Sequence, residues 1–382
     1  MIPEKVKPAG KLRQPVWTQV LLPLASFLLP LGLYSSTACR DIFWMDSTEF
    51  MLVGRHLALS HPPGYPLLTL ILRLTSLVPV LNLPLRMNLV SSLAAASSCL
   101  AFFFVVRRLT NDPLAALLSA LVWSVSFELW QQATVLEVYA FQILIVTLVL
   151  LMLVKWAAGD GSRWLLGAAF FFGIGLANHL FIITLLPGLT LLLLAGPWRN
   201  LDRRTVLVAS LLLLLGPCLY IYVPLRSERA ALSYWGGTET LPGLVEYITG
   251  RVYRYRFLAG GANYLRTQLG ELPGILGRQF TLFWLLAVPG LILLWRKHRH
   301  LLAGLILTAL LSASLSLVYN IPDKEGYLLP AWLISAVFIG SGIAFLRNTR
   351  ASRAATIAVC AGIVTVAALS YPRKDRSRLH TL

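Results

Sequence analysis

The chain reads as an all-α polytopic membrane protein of about ten or eleven spans, and three observations predict this. Of its 382 residues 57% are hydrophobic and only 13% are charged, whereas about a quarter of a soluble domain is charged. The mean hydropathy is +0.72. Apolar runs of roughly 17–25 residues, long enough to cross a hydrocarbon core of about 30 Å as helices, recur from end to end. The whole of 1–382 is therefore expected to be one membrane domain, with no water-soluble domain left over.

With the N-terminus in the cytoplasm, the spans fall near 16–38, 86–106, 114–130, 137–154, 165–179, 180–197, 205–224, 276–295, 301–318, 327–346 and 354–370. Lys5, Lys7, Lys11 and Arg13 precede the first run, which is too long for a signal peptide and reads as a retained span. Arg107/Arg108, Lys155/Arg163, Arg199/Arg203/Arg204, Arg296/Lys297/Arg299 and Arg347/Arg350/Arg353 then all lie inside, as positive-inside topology requires. One feature disagrees. An eleventh span puts the basic tail of Arg373, Lys374, Arg376 and Arg378 outside, so either a span is miscounted around Asn178–His179 or 61–85, or the tail escapes the rule.

The net charge of +17 comes from short clusters between apolar runs, and no continuous basic stripe suited to nucleic acid is present. Cys39, Cys99, Cys218 and Cys360 show no metal-binding or redox spacing, and the reading without any such site is favoured; Cys39 and Cys218 both map near the outer surface, where a bridge between them is the minority alternative. The acidic residues sort unevenly. Asp41, Asp46, Glu49, Glu128, Glu137, Glu228, Glu239, Glu246, Glu271, Asp323 and Glu325 map outside, whereas only Glu4, Asp112, Asp160 and Asp202 map inside and Asp375 follows the tail. Carboxylates beside lipid are costly unless paired, solvated or functional, so this gathering predicts a cavity open to the outer side.

Two outer loops, 38–85 and 225–275, are too rich in aromatic and aliphatic residues to be free linkers and are expected on the membrane surface. A helix beginning at Asp46 would place Asp46, Glu49 and His56 within about 80° of one another. Two carboxylates and an imidazole facing a cavity can take a proton from a hydroxyl. Asp46 with Glu49 three residues on is equally the signature of a capping box, and spacing alone leaves both readings open. Trp44 suits an interfacial anchor in either case. His61-Pro-Pro-Gly-Tyr65-Pro fixes a rigid non-helical path, which is either a site wall or a breaker between two surface helices.

In the second loop, a helix over Leu241–Phe257 with Pro242 in its first turn would align Tyr247, Arg251, Arg254 and Tyr255, with Arg226 just past a span. That face suits a lipid phosphate, held specifically or as part of a general affinity for anionic lipid. Glu137-Val-Tyr139, Asn178-His179 and Asp323-Lys-Glu-Gly-Tyr327 are weaker outer features.

Trp44-Met-Asp46-Ser-Thr-Glu49-Phe, His61-Pro-Pro-Gly-Tyr-Pro-Leu, Arg86-Met-Asn88, Glu137-Val-Tyr-Ala, Gly175-Leu-Ala-Asn178-His179 and Tyr220-Ile-Tyr-Val-Pro-Leu-Arg226 occur in that order. Together, from about 30 to 260 and more loosely over Asp323–Pro330, they resemble the protein O-mannosyltransferase-like family of the GT-C glycosyltransferase superfamily. Thr48 stands where that family usually has a smaller residue, and many relatives carry a further soluble C-terminal region that bears on acceptor choice.

The resemblance implies a GT-C-like bundle with outer interfacial helices, and an inverting, metal-independent transfer from a polyprenyl-phosphate sugar to an acceptor hydroxyl on a protein, glycan or lipid. No cofactor is implied. Carried onto this sequence, Asp46 is expected as general base and Glu49 and His61 as positioning groups. Tyr65, Arg86, Asn88, Glu137, Tyr139, Asn178, His179, Asp323 and Tyr327 are expected around substrate, and Arg226, Arg251 and Arg254 on the phosphate.

The main rival is a transporter or lipid flippase, which predicts inverted repeats and a mid-membrane site; no repeat stands out, and the polar residues cluster at one surface. A non-catalytic scaffold would tolerate Asp46→Asn. The absence of an organelle signal points the sequence reading to a bacterial inner membrane.

Overall fold

The computed structural model describes residues 16–44, 46–227, 235 and 238–379. Glu4, Lys5, Lys7, Lys11, Arg13 and Glu228 lie outside the described residues. A short helix α1 (Val16–Gln19) leads into α2 (Leu21–Thr37), which ends at the outer surface. There follow the surface helices α3 (Asp46–His56) and α4 (Pro66–Leu77), then the long α5 (Leu83–Thr110), α6 (Pro113–Ser124), α7 (Phe127–Ala133), α8 (Val138–Ala157) and α9 (Arg163–Asn178). A 3-10 segment, Leu180–Leu185, runs into α10 (Leu186–Leu194), and α11 (Arg203–Cys218) and α12 (Tyr222–Ser227) return to the outer side.

The second outer loop holds α13 (Leu241–Ile248), a 3-10 turn Arg251–Arg256 and the start of α14 (Gly261–Phe280). Then come α15 (Ala287–Val318), α16 (Leu329–Arg347) and α17 (Ser352–Lys374).

Local chemistry sets these boundaries. Asn82 accepts from Leu85 N at 2.8 Å with Pro84 in the first turn of α5. Asp112 accepts from Leu114 N and Ala115 N at the start of α6, and Asp202 from Thr205 N at the start of α11. α5, α8 and α16 are the helices richest in buried apolar residues. Val206, Leu207, Leu211, Leu214 and Leu215 of α11 and Ile357, Val364 and Leu369 of α17 stay exposed, the pattern of rim helices facing lipid. α9 and α11 cross at backbone contact: a Cβ added to Gly216 would sit 1.7 Å from the Gly173 carbonyl oxygen.

Every one of the eleven apolar runs is helical. Counted by length and composition, however, six stretches among the described residues are long enough to cross a bilayer, and α6 with α7, bent by 67°, makes a seventh. The difference from ten or eleven has two causes. Leu21–Thr37, Arg163–Asn178 and Leu180–Leu194 are each shorter than a full crossing at about 1.5 Å per residue. Two predicted spans also merge within 261–318, where His298 (φ −142°) breaks the helical path.

The opposite end of the bundle is the basic one. There Arg108 grips Asp160 through two 2.9 Å bonds and Arg347 Nε reaches Asp112 at 2.8 Å. Arg376 N donates to Thr37 O, so the tail lies at the same end of the bundle as the C-terminal end of α2, the end that the charge-based topology assigns to the outer side. All four cysteines are free, so the Cys39–Cys218 bridge does not form.

Candidate active site

The His61–Pro66 motif folds as a tight turn in which Gly64 N donates to His61 O at 2.8 Å. Gly64 has φ +94°, and a Cβ there would meet the Tyr247 ring at 2.7 Å, so this position requires glycine twice over. Tyr247 from α13 reaches over it to donate to Ser60 O. The first outer loop thereby becomes the base on which the second is stacked.

Beneath this turn, α3 presents its first-turn carboxylates. Glu49 accepts from His61 N and from His61 Nδ1, both at 2.6 Å, and from Ser60 Oγ at 3.3 Å. The imidazole Nε2 lies 2.9 Å from Tyr65 Oη and 3.6 Å from Asp46 Oδ2. Asp46 thus feels the charge of His61 without a hydrogen bond from it, and its side chain remains 41% exposed to the cavity. The capping-box geometry expected from spacing gives way to a different use: Glu49 holds His61, and it is His61, not the exposed His56, that completes the cluster.

The electrostatics follow. Desolvation and then the neighbouring Asp323 and Glu49 raise the Asp46 carboxyl above its ordinary value, against the lowering pull of His61. Burial opposes ionisation of Glu49, but the hydrogen bonds and charge of His61 outweigh it and hold this carboxyl below its ordinary value. Burial likewise works against the His61 cation; Glu49 and Asp46 prevail and raise it. Glu49 and His61 thus favour each other's charged forms, while Asp46 has no hydrogen bond from the imidazole.

These groups open into a cavity of about 540 Å³ at the outer end of the bundle. Its deep wall is aromatic. Tyr139 stacks on His179 with centroids 5.9 Å apart and donates to Asp323 at 2.6 Å. Tyr65 and Tyr327 meet the same imidazole edge-on. His179 Nδ1 accepts from Phe181 N, which leaves Nε2, 3.4 Å from Tyr327 Oη, as the protonated nitrogen.

The opposite wall comes from the second outer loop. Leu258 N donates to Val318 O and Asn320 N to Arg256 O, while Phe257 stacks on Tyr319 at 4.6 Å. This strap sets Arg256 and Tyr319 on the cavity lining. Arg256 Nε is buried without a hydrogen-bond partner, and such a donor is costly unless something else receives it. Burial pushes the Tyr253 hydroxyl on this wall up to about 12, so it stays a donor at neutral pH.

Of the residues expected from sequence, the structure brings Asp46, Glu49, His61, Tyr65, Tyr139, His179, Asp323 and Tyr327 together on one lining. It places the three predicted arginines elsewhere. The helix expected over Leu241–Phe257 stops at Ile248, and Gly250 (φ +60°) turns the chain into a 3-10 segment, so the common face dissolves. Arg251 pairs with Glu246 in the open, Arg254 is exposed, and Arg226 donates to the backbone oxygens of Leu57 and His56.

Four further expected substrate residues support the lining from behind. Asn88 Nδ2 donates to Cys39 O and Asp41 O while its Oδ1 accepts from Leu136 N, pinning the two loops that carry Asp46 and Tyr139. Asn178 donates to Gln142, which in turn reaches His179 O. Glu137 and Arg86 lie off the lining, each with one buried polar atom unpartnered. Arg256, Tyr253, Trp235 and Tyr319 were missed by sequence reasoning. The signal for the first was Thr249-Gly250, a helix stop.

Asp46, Glu49 and His61 each offer one metal-ligand atom, all within 4.8 Å of one another. The set fits a metal poorly, because the imidazole nitrogens are engaged with Glu49 and Tyr65 and its raised proton affinity favours the cation, which has no lone pair to give.

Residues 46–202 match the family described as the protein O-mannosyl-transferase TMEM260 N-terminal domain. Protein O-mannosyl-transferase TMEM260 of Mus musculus is 29% identical over 240 residues, covering 60% of this chain and 34% of that protein. Its counterpart in Dictyostelium discoideum is 25% identical over 250 residues, covering 60% and 30%. The chain spans about a third of the length of the curated relatives it matches. Among solved structures, ArnT from Cupriavidus metallidurans bound to undecaprenyl phosphate superposes with a TM-score of 0.62 at 16% identity, over 94% of this chain and 66% of that one. The apo state of ArnT gives 0.63, over 94% and 65%.

These matches bear out the resemblance read from the motifs, and the fold is the one seen in the ArnT structures, in a multi-pass membrane protein. The expectation of a bacterial inner membrane finds no support in the curated relatives, which are eukaryotic.

Proposed function

We propose that the protein is a membrane glycosyltransferase that passes a hexose, mannose by analogy with its relatives' names, from a polyprenyl-phosphate carrier to an acceptor hydroxyl at the outer membrane surface. One observation carries the reading: a carboxylate free to act as base, Asp46, and a half-buried arginine whose Nε is a buried donor without a partner, Arg256, line the same cavity at one end of the bundle. A lipid-linked donor presents its phosphate at that depth, and ArnT, with the same fold, is described as bound to undecaprenyl phosphate.

In this reading Asp46 accepts the proton of the acceptor hydroxyl as its oxygen bonds to the sugar's anomeric carbon, from the face opposite the phosphate. The bond from that carbon to the phosphate oxygen breaks, and its electron pair leaves on the phosphate. Arg256 and the Tyr253 hydroxyl receive that growing charge, so Arg256 takes the role that the sequence reading gave to Arg226, Arg251 and Arg254. The Glu49–His61 pair fixes the imidazole beside Asp46, and Tyr139, His179 and Tyr327 offer the sugar aromatic faces and hydroxyls.

The test is transfer by the purified full chain from radiolabelled polyprenyl-phosphate mannose to host membrane acceptors. Asp46→Asn is expected to lower turnover by about 100-fold or more with donor binding retained, the scale of a lost general base. Wild-type turnover in that variant would remove Asp46 from the mechanism.

A further inference from the structure

The basic tail that strains positive-inside topology is built into the protein on the outer side. α17 ends at Lys374, which is buried: its ammonium donates to Gln131 Oε1 at 2.8 Å and lies 3.1 Å over the Phe127 ring. Arg278 stands 4.9 Å from the same ring and pairs with Glu325, two residues from Asp323. Arg376 goes further in. Its backbone N donates to Thr37 O at 3.0 Å, its Nη1 reaches Gln131 O at 3.4 Å, and its guanidinium sits 4.5 Å from the Phe43 ring.

Phe43 is where this clamp meets the site. Phe43 O accepts from Thr48 Oγ1 at 2.8 Å, so the residue whose ring lies under Arg376 is tied through its backbone carbonyl to the first turn of α3, which bears Asp46. From the other side Asn88 and Thr134 hold residues 39–41 through backbone bonds. Phe43 is thus held between the Arg376 guanidinium and the Thr48 hydroxyl. Desolvation of this guanidinium is a cost that a plain topology anchor has no reason to bear.

We infer that Arg376 is a positioning residue that, through Phe43 and Thr48, holds the first turn of α3 so that Asp46 faces the cavity. The role in turnover rests on the glycosyltransferase reading; the positioning itself does not.

The experiment uses the full chain in lipid nanodiscs and compares wild type, Arg376→Ala and Arg376→Lys by hydrogen exchange and by transfer from polyprenyl-phosphate mannose. In Arg376→Ala, exchange over 39–50 rises about tenfold or more while 319–328 stays as in wild type. Turnover falls roughly ten- to a hundredfold, with KM for the donor within about twofold. Arg376→Lys keeps a cation on the ring and recovers part of both. Unchanged exchange over 39–50, or a rise shared equally by all segments, overturns the assignment. If Arg376→Ala fails to fold, Phe43→Leu removes the same contact and is read by the same criteria. If wild type transfers no sugar, the glycosyltransferase reading fails and the exchange measurement alone decides the positioning.

Discussion

His61 is the residue on which the local electrostatics turn. Its affinity for a proton is raised above the ordinary 6.5 and that of Glu49 is lowered below 4.5. The histidine's contribution to stability is thus complete below pH 6.5 and is lost as pH rises through its higher folded value. The glutamate's contribution is complete above pH 4.5 and is lost as pH falls through its lower folded value. The difference in melting temperature between wild type and His61→Asn is therefore expected to peak between these two pH values and to narrow on either side; a difference constant from pH 4 to 9 would show that the two groups are not paired. Asp46 moves oppositely to Glu49, so the acid limb of the transfer rate is expected above the ordinary 3.8, where Asp46 takes up its proton.

At the scale of elements, the Gly64 turn joins two loops far apart in sequence. Gly64→Ala is expected to cost about 1–3 kcal/mol, since it forces a side chain into a left-handed backbone and against Tyr247. Chemical denaturation in detergent measures it, and a loss near zero would mean that α13 does not rest on this turn. The helices were legible in the sequence because lipid imposes a simple demand, an apolar run of sufficient length. The His61–Pro66 turn was legible because proline and glycine restrict the chain locally. Residues 241–257 were not, because one residue, Gly250, decides whether the arginines share a face, and a helix assumption overrides it. Arg256 escaped for the same reason: its place is fixed by pairing with residues 318–320, a contact between distant segments that spacing does not encode.

For the whole molecule, two expectations follow. The polar cavity and the tail share one face, opposite the Arg108–Asp160 and Arg347–Asp112 pairs. A cysteine placed at Leu379, which is 45% exposed, in a background lacking the native thiols should react with a membrane-impermeant maleimide from the outer side and not from the cytoplasmic side. Labelling from the cytoplasm would reverse the topology. Because both His61 ring nitrogens are already engaged, by Glu49 and Tyr65, prolonged treatment with EDTA is expected to leave transfer within about twofold of the untreated rate, whereas a metal held by Asp46 and Glu49 would make it collapse.

The cavity's two sides differ in their history along the chain. Asp46, His61, Tyr139 and His179 fall within the stretch matched to the family, 46–202, while Arg256, Tyr319, Asp323 and Tyr327 come after it. In the proposed reading, the residue that takes the proton, Asp46, is thus encoded apart from the one that faces the leaving phosphate, Arg256. That makes 238–327, under the same reading, the place to look for what sets the choice of carrier.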